Sequence, residues 1–352
     1  MVRIPRERLV DFGVEVLARR GIAGDTAAFL AEEAVTTEAR GVHTHGLAML
    51  VYWDREIGGK IDGAAEPEVV HEKGGCAIVA GKRGFAQLAL RLAKGVAAAK
   101  AREHGIAMVA GTDVSWVGAL GPQIASLSEA GFLAQLRAHS NASTECAPWG
   151  GIDGKFTSNP IAITFPTGAV PVLGDFSTSA VSIHKARAMG RRGERTPENC
   201  FLDPDGQPSS DPRVMLDGGT ILFLGGEHTG YRGYILSLWG QALAALGGST
   251  ANDPTVPPIQ TFNLTVIDPE AFAGADFFVR DIGRFLEWMR DSRLRPGFDA
   301  ILLPGERAHR AEREAEAHGV PVEARMLGML NKVAAKHGIE PLAHLQPGDD
   351  DG

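Results

Sequence analysis

An α/β fold with a mixed sheet and helical N- and C-terminal segments is predicted by three observations. A strand–helix–strand unit lies at residues 76–111, the middle of the chain is rich in short apolar runs, and both ends carry apolar residues at helical spacing. The glycines add an exclusion: among 44, no two are separated by a single residue, so the G-x-G-x-x-G fingerprint of a Rossmann dinucleotide fold is absent.

Residues 5–20 place apolar side chains at helical spacing and stop at Gly21, and Asp25 then caps a second helix that runs to about Arg40. The stretch RGVHTHG (40–46) leaves that helix as a loop. CAIVA (76–80) reads as a strand, AQLALRLAKGVAAAKAREHG as a long helix ending at Gly105, and IAMVAG (106–111) as the next strand. Further strands are predicted at PIAITFP (160–166), VPVLGDF (170–176) and TILFLGG (220–226), then a helix over residues 234–246 and a strand at TFNLTVID (261–268). From Arg280 the pattern returns to helices around one buried strand, DAILLPG (299–305). Gly-, Pro- and Ser-rich stretches at 148–159 and 203–219 read as site-forming loops. The expected division is a discontinuous helical domain of residues 1–75 with 275–345, a mixed α/β region at 76–274, and a flexible polar tail at 346–352.

A chain of 352 residues, 44% hydrophobic and 22% charged, can bury a large core. Its net charge of −8 provides no basic face for a nucleic acid or an anionic membrane, so a small molecule is the expected partner. Cys76, Cys146 and Cys200 lie far apart, with no CxxC pair, which fits a reducing cytoplasm. The charged, amphipathic N-terminus lacks the apolar run of a signal peptide, and no segment approaches the ~18 apolar residues of a membrane span.

RGVHTHG admits three readings. His43 and His45 on an extended segment could hold a metal, but a closed site needs further ligands, and His71, His104, His139, His184 and His228 are scattered. Proton transfer needs only one accessible imidazole beside a polar partner. The third reading is a surface loop histidine.

The blocks that follow separate these readings. After YWDREIGGKI (52–61) come EHGIAMVAG with SWVGALG, NASTECAPWGG (141–151), TSNPIAITFP (157–166), GDFSTS (174–179) with Lys185, LDPDGQPSSDP (202–212), LGG with YRGYILSL, and LLPGER (302–307). In this order they resemble the malate/L-lactate dehydrogenase family of the non-Rossmann type, whose relatives include ureidoglycolate dehydrogenase, sulfolactate dehydrogenase and cyclic imino acid reductases. The resemblance implies a sulfolactate dehydrogenase-like fold, NAD or NADP as cofactor, a homodimer, and cofactor binding and catalysis within residues 76–274.

Residue by residue, the resemblance makes His45 the acid/base beside the carbon that exchanges hydride, with Thr44 keeping the hydroxyl of a family serine. His43 falls on a variable position. Arg40 matches a family arginine, with two roles open: tying the helix end to an acidic neighbour or binding substrate. Asp175 in GDFSTS orients the histidine or bonds the nicotinamide ribose and amide, beside Ser177, Thr178 and Ser179. Asn141 is assigned to substrate. Gly118, Ser158, Asn159, Lys185 and Arg232 are assigned to the cofactor; Gly305 and Glu306 sit near its adenine end, where Arg307 would pair with a 2′-phosphate.

Two departures concern the centre itself. Relatives carry His-Phe-Gly where this chain has Trp116-Val117-Gly118, and an arginine where it has Met49. An indole cannot shuttle protons and a thioether cannot grip a carboxylate, so a substrate less polar than malate is expected, with His139 or Lys185 available to compensate. The expected activity is hydride transfer at the α-carbon of a 2-hydroxy or 2-oxo acid or cyclic imino acid. The alternatives are a non-catalytic dinucleotide-binding member and a metal-dependent hydrolase using His43 and His45.

Overall fold

The computed structural model describes residues 1–141, 143–249, 252–253 and 255–342; the expected tail at 346–352 lies outside them. The chain opens with β1 (Val2–Ile4), α1 (Arg6–Arg19), α2 (Gly24–Ala39) and α3 (Ala48–Glu56). Leu9, Phe12, Val16 and Leu17 recur at helical spacing and form the buried face of α1. They share one core with Met49, Leu50 and Trp53 of α3 and with the distant C-terminal elements α10 (Glu306–His318), β12 (Val320–Val322) and α11 (Ala324–His337). β12 pairs antiparallel with β1, joining the two ends of the chain.

Between the ends run β2 (Glu68–Lys73), β3 (Cys76–Gly84), α4 (Ala86–His104), β4 (Ile106–Val114), α5 (Leu120–Glu129), β5 (Leu133–Ser140), β6 (Ile161–Phe165), β7 (Val172–Phe176) and α6 (Ile183–Arg192). Three two-residue strands follow: β8 (Phe201–Leu202), β9 (Pro208–Ser209) and β10 (Thr220–Ile221). Then come α7 (Gly226–Thr229), α8 (Tyr231–Leu246), β11 (Gln260–Ile267) and α9 (Ala275–Arg290). The main sheet has the order β2-β3-β4-β11-β5-β6-β7. Only β3 and β4 pair in parallel, as the α4 crossover between them requires; the other neighbours are antiparallel.

Small residues let these layers close up. Ala86, Ala89, Ala93, Ala97 and Ala101 make the buried face of α4 against the sheet. Gly111 of β4 stands opposite Phe262 of β11, and a Cβ there would come within 2.1 Å of the ring. Glycine at 111 is what gives that aromatic its place in the core.

Several expectations are corrected. The sheet begins at Glu68, before residue 76. TILFLGG forms a strand only at Thr220–Ile221, in a separate three-stranded sheet, and Phe223 beyond it makes a single bridge to Ser179. DAILLPG is not a strand; Leu303 alone in it is buried, and Leu302 is exposed. Its apolar run gains only one backbone bond to the sheet, from Leu173 N–H to the Pro304 carbonyl at 3.0 Å, while the buried strand of this region is β12. The helix expected from residue 234 starts earlier, at Tyr231. No helix among the described residues is long and apolar enough to cross a membrane.

Candidate active site

The loop that leaves α2 is pinned from beneath by Glu38. Its buried carboxylate holds the His43 ring at 2.6 Å through Nδ1 and accepts the Leu47 N–H at 2.9 Å. Gly46 passes so close over Glu38 that a Cβ would lie 2.4 Å from Oε2. With His43 turned to Glu38, the loop presents Thr44 and His45 to a cavity, and Thr44 Oγ1 bonds His45 Nδ1 at 2.7 Å. The two imidazoles of the His-x-His pair therefore engage different partners, and among the described residues no three His, Cys, Asp or Glu side chains form a metal-binding group.

The second wall comes from the segment between β4 and α5. Gln87 donates to the Val117 carbonyl at 3.0 Å, and Val117 N–H donates to Gln260 Oε1 at 3.1 Å, fixing the turn that carries Trp116 and Gly118. At the start of α5 the backbone N–H groups of Leu120 and Gly121 donate to Asp175 Oδ2 at 2.9 and 2.8 Å. A helix N-terminus favours a carboxylate, and Gly121 allows the approach: its Cβ would sit 3.2 Å from that of Asp175.

α6 completes the enclosure. Ser182 caps it, accepting the Lys185 N–H at 3.3 Å, and His184 and Arg187 project at i, i+3 spacing from its first turn into the cavity. Arg187 pairs with Glu145 at 2.9 Å. The rings of His45, Trp116 and His184 form a triangle, with centroids 5.1 Å apart for His45–Trp116, 5.0 Å for His45–His184 and 5.1 Å for Trp116–His184. The cavity they border measures about 470 Å³, within the ~300–1,000 Å³ range of small-molecule sites.

Enclosure sets the charge states. Removal from water, then the neighbouring His184, hold the His45 imidazole down to about 3, so it is neutral near neutral pH. His184 is lowered by burial and by Arg187 and Arg191, against the pull of Glu145. Asp175 faces the open cavity, yet protein crowds it on most sides; that desolvation raises its carboxyl above the ordinary range despite the two N–H donors. His139, 2% exposed at the cavity floor, is held down to about 4 by burial.

Of the residues singled out from sequence, the cavity brings together Thr44, His45, Trp116, Gly118, His139, Ser158, Asp175 and Ser177. The others lie elsewhere. Arg40 pairs with Glu312 of α10 at 2.9 Å, the tethering role. Met49 is 3% exposed in the N-terminal core. Asn141 is a structural clasp, donating to the Asp253 carbonyl at 2.9 Å and accepting the Ile259 N–H at 2.8 Å. Asn159 is buried with φ of 34° and donates to Ser237 Oγ of α8 at 2.8 Å. Thr178 is buried and donates to the Ser158 carbonyl at 2.9 Å. Lys185 is exposed outside the cavity, and Arg232 lies over the Tyr231 ring. Glu306 spends its carboxylate on Arg290 and on the Leu303 N–H at 3.0 Å; Gly305 borders a smaller cleft with Arg40 and Glu312, and Arg307 is exposed.

Sequence reasoning missed His184, Arg187 and Glu145 as cavity residues. The available signal was Ser182 as an N-cap followed by two polar residues three apart, which marks one helix face but not what that face meets.

A histidine and a carboxylate thus border one cavity of small-molecule size, carried by a mixed sheet in a chain without a Rossmann fingerprint. The malate/L-lactate dehydrogenase family profile matches residues 4–331, and the chain belongs to that family. The malate dehydrogenase of Pyrococcus horikoshii is 29% identical over 351 residues, 97% of each chain. The Delta(1)-pyrroline-2-carboxylate/Delta(1)-piperideine-2-carboxylate reductase of Pseudomonas syringae pv. tomato is 31% identical over 341 residues, 93% of this chain and 95% of the relative. The solved sulfolactate dehydrogenase of Methanocaldococcus jannaschii superimposes with a TM-score of 0.85 at 25% identity, covering 96% of this chain and 98% of that one. The protein is thus a dehydrogenase or reductase with the fold of this family.

Proposed function

We propose that the protein is an NAD(P)-dependent oxidoreductase acting at the α-carbon of a 2-hydroxy or 2-oxo monocarboxylic acid or a cyclic imino acid, with His45 as the acid/base. The observation that carries this reading is the single cavity in which His45, Asp175 and Arg187 meet. The residues suit a nicotinamide: the hydroxyl-bearing Thr157, Ser158 and Ser177 line the cavity, and Trp116 offers a flat apolar wall. The Pro304 carbonyl bonded to Leu173 brings the Gly305–Glu306 turn beside β7, the strand that carries Asp175.

When bound, the nicotinamide supplies the hydride donor or acceptor. His45 holds the proton side of the reaction: its Nδ1 is bonded to Thr44 Oγ1, and in the tautomer whose Nδ1–H donates there, Nε2 keeps a lone pair for a substrate hydroxyl. Asp175, fixed by two backbone donors and raised in affinity for a proton, accepts or shares hydrogen bonds from ribose or carboxamide. Among the described residues lining the cavity Arg187 is the one arginine or lysine; it pairs with Glu145 and keeps further N–H donors for a substrate carboxylate. Glu145 and Asp175 repel a second carboxylate, and Trp116, Ile183 and Ala138 make the remaining wall apolar, which supports a substrate less polar than malate.

The single chain leaves Tyr231, Ile235, Trp239 and Leu246 of α8 and Phe277, Phe285 and Trp288 of α9 exposed, large apolar side chains of the kind that interfaces cover. This supports a homodimer, and a cytoplasmic protein without membrane or nucleic-acid partners is the reading we carry with it. The test is fluorescence of bound NADH or NADPH, followed by reduced-nicotinamide absorbance with a panel of 2-oxo acids, 2-hydroxy acids and cyclic imino acids. Binding without turnover of any of them would favour the non-catalytic alternative; no binding of either dinucleotide would overturn the reading.

A further inference from the structure

We propose that His184 is the solvent-side partner of His45 in a two-imidazole proton relay, supplying from α6 the second imidazole that the Trp116 segment lacks. The proposal rests on the oxidoreductase reading above and deepens it.

The geometry carries it. His184 and His45 meet edge to face, with centroids 5.0 Å apart at 83°, and Trp116 packs against both rings, 30° from the plane of His184. Both imidazoles border the same cavity as Asp175. His45 has Nδ1 committed to Thr44 and is the more enclosed of the two; His184 sits nearer solvent at the first turn of α6. The groups around His184 are His45 from the α2–α3 loop, Glu145 from the loop after β5, and Arg187 and Arg191 on its own helix. Two guanidiniums and a helix N-terminus against one carboxylate keep its ring neutral, and a neutral imidazole both accepts and donates a proton.

In the oxidation direction a bound oxidised nicotinamide would accept the electron pair of the breaking substrate C2–H bond as hydride. The hydroxyl O–H bond breaks as C=O forms, and its proton goes to His45. His45 hands that proton to His184 through one bridging water, and His184 releases it to solvent. Reduction runs the same path inward.

The test compares wild type with His184→Phe, which keeps a ring against Trp116, and with His184→Ala. At low buffer concentration turnover of both variants should fall about 10- to 100-fold, below the full acid/base contribution of ~10²–10⁴. Added imidazole should restore His184→Ala and leave wild type unchanged, and the fall should steepen as buffer is diluted. Unchanged turnover in the variants, or a loss that no small base rescues, would overturn the relay. Should wild type turn over no 2-oxo or imino acid, the oxidoreductase reading fails instead. The relay is then decided by proton NMR titration of the ligand-free protein: His45 must titrate differently in His184→Phe, and an identical His45 titration removes the proposal.

Discussion

His43 and His45 stand two residues apart yet serve different halves of the molecule: His43 is bound to Glu38 at 2.6 Å, while His45 is bound to Thr44 at 2.7 Å and faces the cavity. The loop thus joins the buried Glu38 carboxylate on one side to the cavity on the other.

Replacing these two histidines should separate stability from chemistry. His45→Ala is expected to lower turnover about 10²–10⁴-fold with cofactor affinity nearly intact. His43→Ala leaves the Glu38 carboxylate with one partner fewer and should cost about 1–3 kcal/mol of stability, with a modest effect on turnover of the folded protein. Equal loss of activity in both, reversed by zinc after chelation, would reinstate the metal reading.

Arg187→Ala should raise KM for a carboxylate substrate about 10- to 100-fold, in line with ~1.5–3 kcal/mol for a hydrogen bond to a charged group, while kcat changes less. Arg187→Lys should recover part of the loss. Steady-state kinetics with the best substrate of the panel decides this; an unchanged KM would show that another group holds the carboxylate.

The two departures from the family pattern are expected to behave differently. Met49→Arg would bury a cation in the core shared with Leu50 and Trp53, and a loss of about 3–5 kcal/mol in denaturant unfolding is expected. Trp116→His exchanges one ring for another on the cavity wall, so it should fold and shift preference toward more polar 2-oxo acids. A stable Met49→Arg variant with improved malate oxidation would show that the site at 49 opens to substrate.

Acid should weaken the fold through its histidines. His45 and His139 are held down to about 3 and about 4 in the folded chain, against ~6.5 when unfolded, so protonation favours the unfolded state. Their contribution is complete above about pH 6.5 and is lost as pH falls toward those values. Asp175, raised in the folded protein, acts oppositely: its folded carboxyl takes up a proton at higher pH than the unfolded chain does, so this group favours the fold as pH falls. Unfolding midpoints between pH 4.5 and 8 should therefore slope less for His139→Gln than for wild type; parallel slopes would mean His139 titrates normally.

Much of this protein can be read from the sequence because the relevant signals are local. Helical spacing in α1, the strand–helix–strand run through β3, α4 and β4, and the missing G-x-G pattern depend on residues close in sequence, and the ordered blocks around His45 and GDFSTS carry the family. Tertiary structure decided what depends on distant partners. DAILLPG has a strand's composition but meets the edge strand β7 through the single Leu173–Pro304 backbone bond, too little for a ladder, whereas VPV at 320–322 is a strand because β1 lies beside it in register. Met49, where the family pattern has an arginine, and Asn159, on a matched motif, turned into the core and onto α8, because their surroundings bury them there. His184 and Arg187 became cavity residues only when α6 folded back across the His45 loop, a contact between segments more than a hundred residues apart that no spacing along the chain encodes.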